Sequence, residues 1–487
     1  MKQAAKQSMN KPTVRAASGA TPIHEQIYAR FRSMIEQGQL RPGQKVSSLR
    51  ALATELGVAR GTVQVAYDRL LGEGYLVARG PAGTFVTEHT APAKPVRAKR
   101  AAAARPLPAP DAPDTIIEME GGSPVPLQMG LPALDEFPRK LWARLMARQV
   151  RKAGSLNRPA PAGHMPLREA LAAYLHRSRG IDAHADQVFI VPAYTASLSL
   201  AVDALGLARA SAWVEHPGYP HTAQTLQHIG MQTCDVRVDE HGIDVEFGRT
   251  HFPNARLAVV TPSHQSPTGV ALPLQRRVEL LDWAEQHDAW IVEDDYDGEY
   301  RYRGHPLPAL KSMDSYGRVI YCGTLSKVLF PGLRLSYVVV APSLVPQFDL
   351  ACRRSVHGGC PELMQAVVAD FISEGHFSRH IKRMRTLYAR RRAMLADALA
   401  PYSADGFVVH LQDGGMHLLV DVREDLDDVV LASRARKAGF AVHALTAWRN
   451  GSPGRRGLLM GFTNIRNRDE AKQQVAGLIR AFDLRVR

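Results

Sequence analysis

Apolar residues recur with helical spacing along the first part of the chain. Ile23, Ile27, Phe31 and Met34/Ile35 share one face of a segment that Thr21 caps and Pro22 enters as the first helical residue. Leu40-Arg41-Pro42-Gly43 reads as a turn. A second helix is predicted from about Ser48, with Leu49, Leu52, Ala53 and Leu56 inward, and Gly57-Val58 breaks it. A third runs from about Arg60 to Glu73 and buries Val63, Tyr67, Leu70 and Leu71. From Gly74 to Glu88 the pattern changes to alternation, as two short strands around the turn Gly80-Pro81-Ala82-Gly83.

Further along, short continuous apolar runs take over. They begin at Val188, Ala212, Leu257, Ala289, Val319 and Tyr337, and amphipathic stretches at 195–207, 218–230 and 274–287 lie between several of them. Continuous rather than alternating runs predict strands buried on both faces, hence an α/β body with a mainly parallel sheet. Ligands in such sheets bind beyond the C-terminal ends of the strands. Between the two patterns, residues 89–118 are dominated by proline, alanine and basic residues, a composition that buries no core and predicts a semi-extended tether. Residues 1–19 are polar and basic without an apolar centre, so a leader without a secretory signal is expected. The expected division is a leader over 1–19, a head over 20–88, a linker over 89–118 and a body over 119–487.

Charge sharpens this division. Residues 1–105 carry 17 Lys+Arg against 6 Asp+Glu, and the remaining residues 44 against 41. A basic head on a nearly neutral body points to phosphate contact by the head. No run of eighteen apolar residues occurs, so no membrane span is expected. The four cysteines lack metal-ligand spacing, which predicts no metal site and suits a reducing, cytoplasmic setting.

Three helices and a β-wing make a winged helix-turn-helix. Arg60, Thr62 and Gln64 fall at the start of its third helix, the part that enters a major groove, where Arg suits guanine and Gln suits adenine. Residues 20–88 resemble the GntR family of DNA-binding domains, although Val46-Ser47-Ser48 stands where the family has Leu-Pro-Ser. The resemblance places Arg50, Arg60, Thr62, Gln64 and the wing glycine Gly83 on DNA-contacting positions.

In the body, each polar group of interest follows a strand. Lys327 sits in Gly-Thr-Leu-Ser-Lys after the run at Val319; small hydroxyl and apolar neighbours can desolvate a lysine and free its amine for a Schiff base. Thr324, Ser326 and nearby Arg334 suit a phosphate. Glu293-Asp294-Asp295-Tyr296 ends the run at Ala289, and a carboxylate there calls for a cation, either a protonated pyridine or a metal such as magnesium. Ser266-Pro267-Thr268-Gly269 and Pro217-Gly218-Tyr219-Pro220 follow two further strands, and Tyr219 suits stacking on a planar heterocycle.

Five strings resemble fold type I pyridoxal-phosphate aminotransferases and occur in that family's order. They are GHMPLREALAAYL from Gly163, WVEHPGYP from Trp213, VTPSHQSPTGV from Val260, IVEDDYDGEYRY from Ile291 and GTLSKVLFPGLRLSY from Gly323. The whole chain resembles the MocR subfamily of GntR regulators. The resemblance implies a Schiff base between Lys327 and pyridoxal phosphate, with Asp294 at the pyridine nitrogen. It implies Tyr296 at the phenolic oxygen, Tyr219 on the ring, Ser266 at the cofactor edge, and Thr324, Ser326 and Arg334 at the phosphate. Arg456 is the candidate for a substrate or effector carboxylate. Two departures stand out. Ala193-Tyr194-Thr195 replaces a Gly-x-Gln-like phosphate turn, which leaves Thr195 for phosphate and brings Tyr194 into the pocket, and Ser266 replaces an aromatic residue.

Three functions fit. The first is a transcription regulator whose body binds pyridoxal phosphate, alone or with an amino-compound effector, and moves the head on a double-stranded DNA operator. The second is an active aminotransferase with an accessory DNA-binding head. The third is a regulator whose body only dimerises. The complete Lys327, Asp294, Tyr296 and Tyr219 set favours the first over the third. The tether and basic head favour it over the second. The resemblance also implies a homodimer.

Overall fold

The computed structural model describes residues 21–88, 124–152, 154, 159–304, 307–354, 359–449 and 454–483. The expected leader and linker lie outside them. Two compact units result, one within residues 1–112 and one within 113–487.

In the first unit, helix α1 spans Ile23–Glu36. Pro22, with an extended ψ of 142°, is its cap residue, so the helix starts one position later than the sequence predicts and Thr21 caps nothing. The Pro22 carbonyl accepts from the Glu25 and Gln26 amides. Helix α2 is Leu49–Leu56; the Ser48 side chain accepts from the Ala51 amide, and Gly57 at φ +67° ends the helix. Helix α3 is Arg60–Gly72. Strands β1 (Leu76–Ala78) and β2 (Thr84–Val86) form the wing, with Leu76 opposite Val86. The core joins Ile27, Tyr28, Ile35, Leu52, Val63, Ala66, Tyr67, Leu70 and Val86. Leu71 is only half-buried, because Val63, Ala66, Tyr67 and Leu70 already define the inward stripe and the next residue is turned about 100° away.

The second unit begins with α4 (Arg139–Val150) and α5 (Met165–Arg179). Then come β3 (Val188–Val191), α6 (Tyr194–Ala204), β4 (Ser211–His216) and α7 (Pro220–His228). β5 (Gln232–Asp239), β6 (Gly242–Ile243), α8 (Val245–His251), β7 (Ala255–Val260) and α9 (Leu274–Gln286) follow. The series continues with β8 (Trp290–Asp295), β9 (Val319–Thr324) and β10 (Ser336–Val339). These strands form one eight-stranded sheet in the order β3-β10-β9-β8-β7-β4-β5-β6. It is parallel from β9 to β5, while β10 runs antiparallel between β3 and β9.

Successive residues of these strands enter different cores. Val292 and Ile320 pack with Leu198, Ala201 and Phe348, whereas Ile291 and Val319 pack with Trp213, Leu280 and Trp283. Burial on both faces explains the continuous apolar runs.

Helices α10 (Val345–Arg354), α11 (Glu362–Ser373) and α12 (His376–Leu399) lead to a second sheet. It contains β11 (Phe407–His410), β12 (His417–Val422), β13 (His443–Ala444) and β14 (Gly457–Gly461), in the antiparallel order β11-β12-β14-β13. Helices α13 (Asp428–Lys437) and α14 (Arg468–Phe482) cover it with α12. Among the described residues no helix is long and apolar enough to cross a membrane.

Candidate functional site

A cavity of about 400 Å³ opens where β3, β4, β7, β8 and β9 end. Each strand delivers a predicted residue to it: Tyr194 and Thr195 after β3, Tyr219 after β4, Ser266 after β7, Asp294 and Tyr296 from the end of β8. Thr324 closes β9, Ser326 and Lys327 follow it, and Arg334 leads into β10. The size lies within the roughly 300–1,000 Å³ range of small-molecule sites.

The Lys327 Nζ donates to the Gly130 carbonyl at 3.0 Å. Gly130 has φ +67°, and a Cβ there would lie 2.5 Å from Nζ, so the lysine is seated against bare backbone. The turn that carries it is tied at both sides. The Ser326 amide donates to Thr324 Oγ1 at 3.2 Å, and the Ser336 hydroxyl does so at 3.1 Å.

Asp294 is 8% exposed, and among the described residues no donor meets its carboxylate. Burial first, then the Asp295, Glu215 and Asp297 carboxylates, push it well above the usual carboxylate range, and Lys327 pulls the other way. Strand alternation separates it from Asp295, whose carboxylate instead meets Arg179 Nε at 2.6 Å and the Tyr321 hydroxyl at 2.7 Å. An unmatched buried carboxylate in a cavity fits a cationic N–H partner.

The loops after β4 and β7 are fastened together by Glu215, which accepts from the Thr261 amide (3.1 Å), the Thr261 hydroxyl (2.6 Å) and Gln265 Nε2 (3.0 Å). Burial still pushes Glu215 up to about 7. Gln265 Nε2 also reaches the Pro217 and Ser266 carbonyls. This joint holds Tyr219 and Ser266 at the cavity. Tyr219 packs at 5.9 Å from Trp448 and 6.2 Å from Tyr194, measured between ring centroids.

The departure at Ala193-Tyr194-Thr195 has a physical account. Ala193 has φ −166° and ψ 166°, an extended conformation open to any residue, so the turn needs no glycine. Tyr194 begins α6, and its hydroxyl lies 2.9 Å from Thr222 Oγ1. Thr195 is exposed in the first turn, next to the free amides of the helix start.

Arg456 is a correction: it does not line the cavity. Its Nη1 donates to the carbonyls of Glu424 (2.9 Å) and Leu426 (3.0 Å). Antiparallel pairing sets Gly457 opposite Asp421, which lays Arg455 and Arg456 along the turn after β12, where Arg455 pairs with Asp421 at 2.6 Å. The cavity does contain residues the sequence reading passed over: Gln128, Met129, His221, His417, His443 and Trp448. His417 and His443 belong to the second sheet, and the Gly414-Gly415 pair ahead of β12 was the one signal of a close approach there.

In the head, Arg50 and Arg60 are exposed in the first turns of α2 and α3. Thr62 and Gln64 are half-buried, and Gln64 Nε2 donates to Asp68 Oδ1 at 2.6 Å. Gly83 has φ +106°, and a Cβ there would lie 2.7 Å from Lys45 Cε. Lys45 and Arg79 both stand over the Phe85 ring, an addition to the basic wing that the sequence reading missed.

Two family models match the chain. Residues 23–86 match the gntR family of bacterial regulatory proteins, and residues 130–449 match aminotransferase class I and II. A probable rhizopine catabolism regulatory protein, MocR, of Rhizobium meliloti is 36% identical over 91% of this chain and 90% of its own length. The pyridoxine biosynthesis transcriptional regulator PdxR of Corynebacterium glutamicum is 34% identical over 91% and 92%. Among solved structures, the kynurenine aminotransferase of Pyrococcus horikoshii superposes with a TM-score of 0.66 at 26% identity, covering 76% of this chain and 93% of its own. Pyridoxal phosphate is therefore the cofactor of the body, and the head is a DNA-binding domain. A GntR winged helix-turn-helix and a fold type I aminotransferase body on one chain place this protein in the MocR subfamily of GntR transcription regulators.

Proposed function

We propose that this regulator uses its aminotransferase-like body to sense pyridoxal phosphate, an amino-compound effector, or both, and thereby adjusts how its head holds a DNA operator. The observation that carries the reading is the buried Asp294 carboxylate, without a donor among the described residues, in the same cavity as the Lys327 amine. Bound in this cavity, pyridoxal phosphate supplies an electrophilic aldehyde and an electron-accepting ring. Lys327 would hold it through its amine. Asp294 holds a proton at the ring nitrogen. Tyr296 would hold the phenolic oxygen, Tyr219 would stack on the ring beside Tyr194, and Ser266 would border its edge. Thr195 with the α6 amide terminus, Thr324, Ser326 and Arg334 hold the phosphate.

An amine effector would compete with the Lys327 amine for the cofactor. The contact between Lys327 and Gly130 then changes, and a ligand that favours one state of the body shifts its population. Arg50, Arg60, Thr62, Gln64 and the Gly83 wing contact DNA in this reading. The protein acts as a homodimer in the cytoplasm. Catalytic transamination is the second reading, supported by the completeness of the same residue set.

The test is the absorbance of full-length protein soaked in pyridoxal phosphate. The wild type gains a visible band that Lys327→Ala abolishes. A colourless wild type contradicts the assignment.

A further inference from the structure

Next to the cavity lies a buried pair that the roles above do not use. His264 follows β7 and Asp297 follows β8; they are 6% and 1% exposed. His264 Nδ1 lies 2.9 Å from the Tyr296 hydroxyl and 3.2 Å from Asp297 Oδ1. Neither Asp297 oxygen has a hydrogen bond in the described structure, although both are shut off from solvent. The imidazole is seated between two glycines. A Cβ on Gly415 (φ +90°) would overlap the ring, and one on Gly269 (φ +77°) would lie 3.1 Å from Nε2. His417 of β12 faces it at 5.6 Å between ring centroids. Arg179 of α5, Arg301 and Tyr300 border the small space on another side. Burial first, then the Asp297, Asp294 and Glu215 carboxylates, push the Tyr296 hydroxyl up, and the Ser266 side chain on the cavity side pulls the other way.

A neutral imidazole carries one proton on one nitrogen. A buried carboxylate that lacks any other donor favours that proton on Nδ1, the nitrogen it faces. With hydrogen on Nδ1, that nitrogen has no lone pair to accept from the Tyr296 hydroxyl 2.9 Å away, so the Tyr296 proton must point elsewhere. Tyr296 lines the cofactor cavity.

We propose that His264 and Asp297 are a positioning pair that turns the Tyr296 hydroxyl into a hydrogen-bond donor aimed at the phenolic oxygen of the cofactor. This rests on the pyridoxal-phosphate reading of the cavity. A donor aimed at that oxygen stabilises its negative charge and so lowers the pH at which the bound cofactor loses its proton. The pair acts through Tyr296 and touches no reacting atom.

The experiment is a spectrophotometric pH titration of full-length, cofactor-loaded protein. His264→Leu is expected to raise the midpoint of the cofactor band by about one pH unit, a tenfold change in the proton equilibrium. His264→Asn, whose amide nitrogen can stand where Nδ1 stands, restores a midpoint near the wild type. Asp297→Asn, close in shape and so tolerant of folding problems at His264, raises it in the same direction. A loaded His264→Leu protein with the wild-type midpoint overturns the inference, as does an Asn variant that shifts as far as Leu. A wild type that takes up no cofactor fails earlier, overturns the cavity assignment, and takes this inference with it.

Discussion

Lys327 and Gly130 meet across 197 positions of sequence, Nζ to carbonyl oxygen at 3.0 Å, and the glycine's missing side chain is what lets them meet. Gly130→Ala introduces a Cβ 2.5 Å from Nζ at a backbone position of φ +67°. Left-handed backbone costs an alanine about 1–2 kcal/mol. The variant is expected to bind pyridoxal phosphate about tenfold more weakly. Equilibrium titration of the absorbance band measures this; an unaltered affinity would show that Lys327 works without its Gly130 seat.

Asp294→Ala removes the carboxylate proposed to meet the ring nitrogen. The apo protein loses a buried and unmatched acid, so its thermal midpoint should not fall by much and can rise. Cofactor affinity should drop by about 2–4 kcal/mol, because the ring nitrogen then faces an apolar wall. Calorimetry of both proteins with pyridoxal phosphate separates the two effects. Equal affinities would remove Asp294 from the cofactor site.

Arg60→Ala addresses the head alone. Losing one guanidinium at the start of α3 should weaken binding to a selected DNA site by about 1–3 kcal/mol and flatten its base preference at one position. The cofactor band should stay intact. Fluorescence anisotropy at fixed salt gives the affinity, and loss of the band alongside DNA binding would show that the two units fail together.

His443 gives a pH signature. Burial, with Arg436 adding to it, pushes its imidazole down to about 4. In the unfolded chain it titrates near 6.5, so between the two values only the unfolded state takes up the proton. Its stabilisation is full above about pH 6.5 and is lost as the pH falls toward about 4. Glu215 and Glu293, both pushed up to about 7 chiefly by burial, act in the opposite sense but are common to wild type and variant. The stability difference between wild type and His443→Asn should therefore shrink on acidification, by about 1.4 kcal/mol per pH unit within that window. Denaturant unfolding at a series of pH values would reveal it; a constant difference would mean His443 titrates normally.

The lining of the cavity was legible where a polar residue follows a strand. Lys327, Asp294, Tyr296, Tyr219, Ser266 and Thr324 all stand at ends of continuous apolar runs, and the sheet brings those ends together whatever its exact order. Arg456 was misread because its partners are backbone carbonyls, Glu424 and Leu426, which leave no mark in sequence. The second sheet escaped notice for a related reason: β13 is two residues long, and β11 alternates between buried and exposed positions near the end of a helix. β5 was missed because it reads Gln-Thr-Cys-Asp-Val-Arg-Val-Asp, mostly polar, with only Val236 buried. His264 could not be singled out, since its significance lies in a distance to Tyr296 and in the two glycines that make room for it.

In the proposed function, occupancy of the body changes the head's grip on DNA through Lys327. The most direct measurement is the affinity of full-length protein for a DNA site selected from a random pool, with and without saturating pyridoxal phosphate and an amine panel. At least one condition is expected to shift wild-type affinity by about fivefold or more, the usual scale of coupling between sites. Lys327→Ala should retain basal DNA binding and lose the shift. Wild-type affinity that is identical across all conditions, in protein whose cofactor band is present, would contradict it.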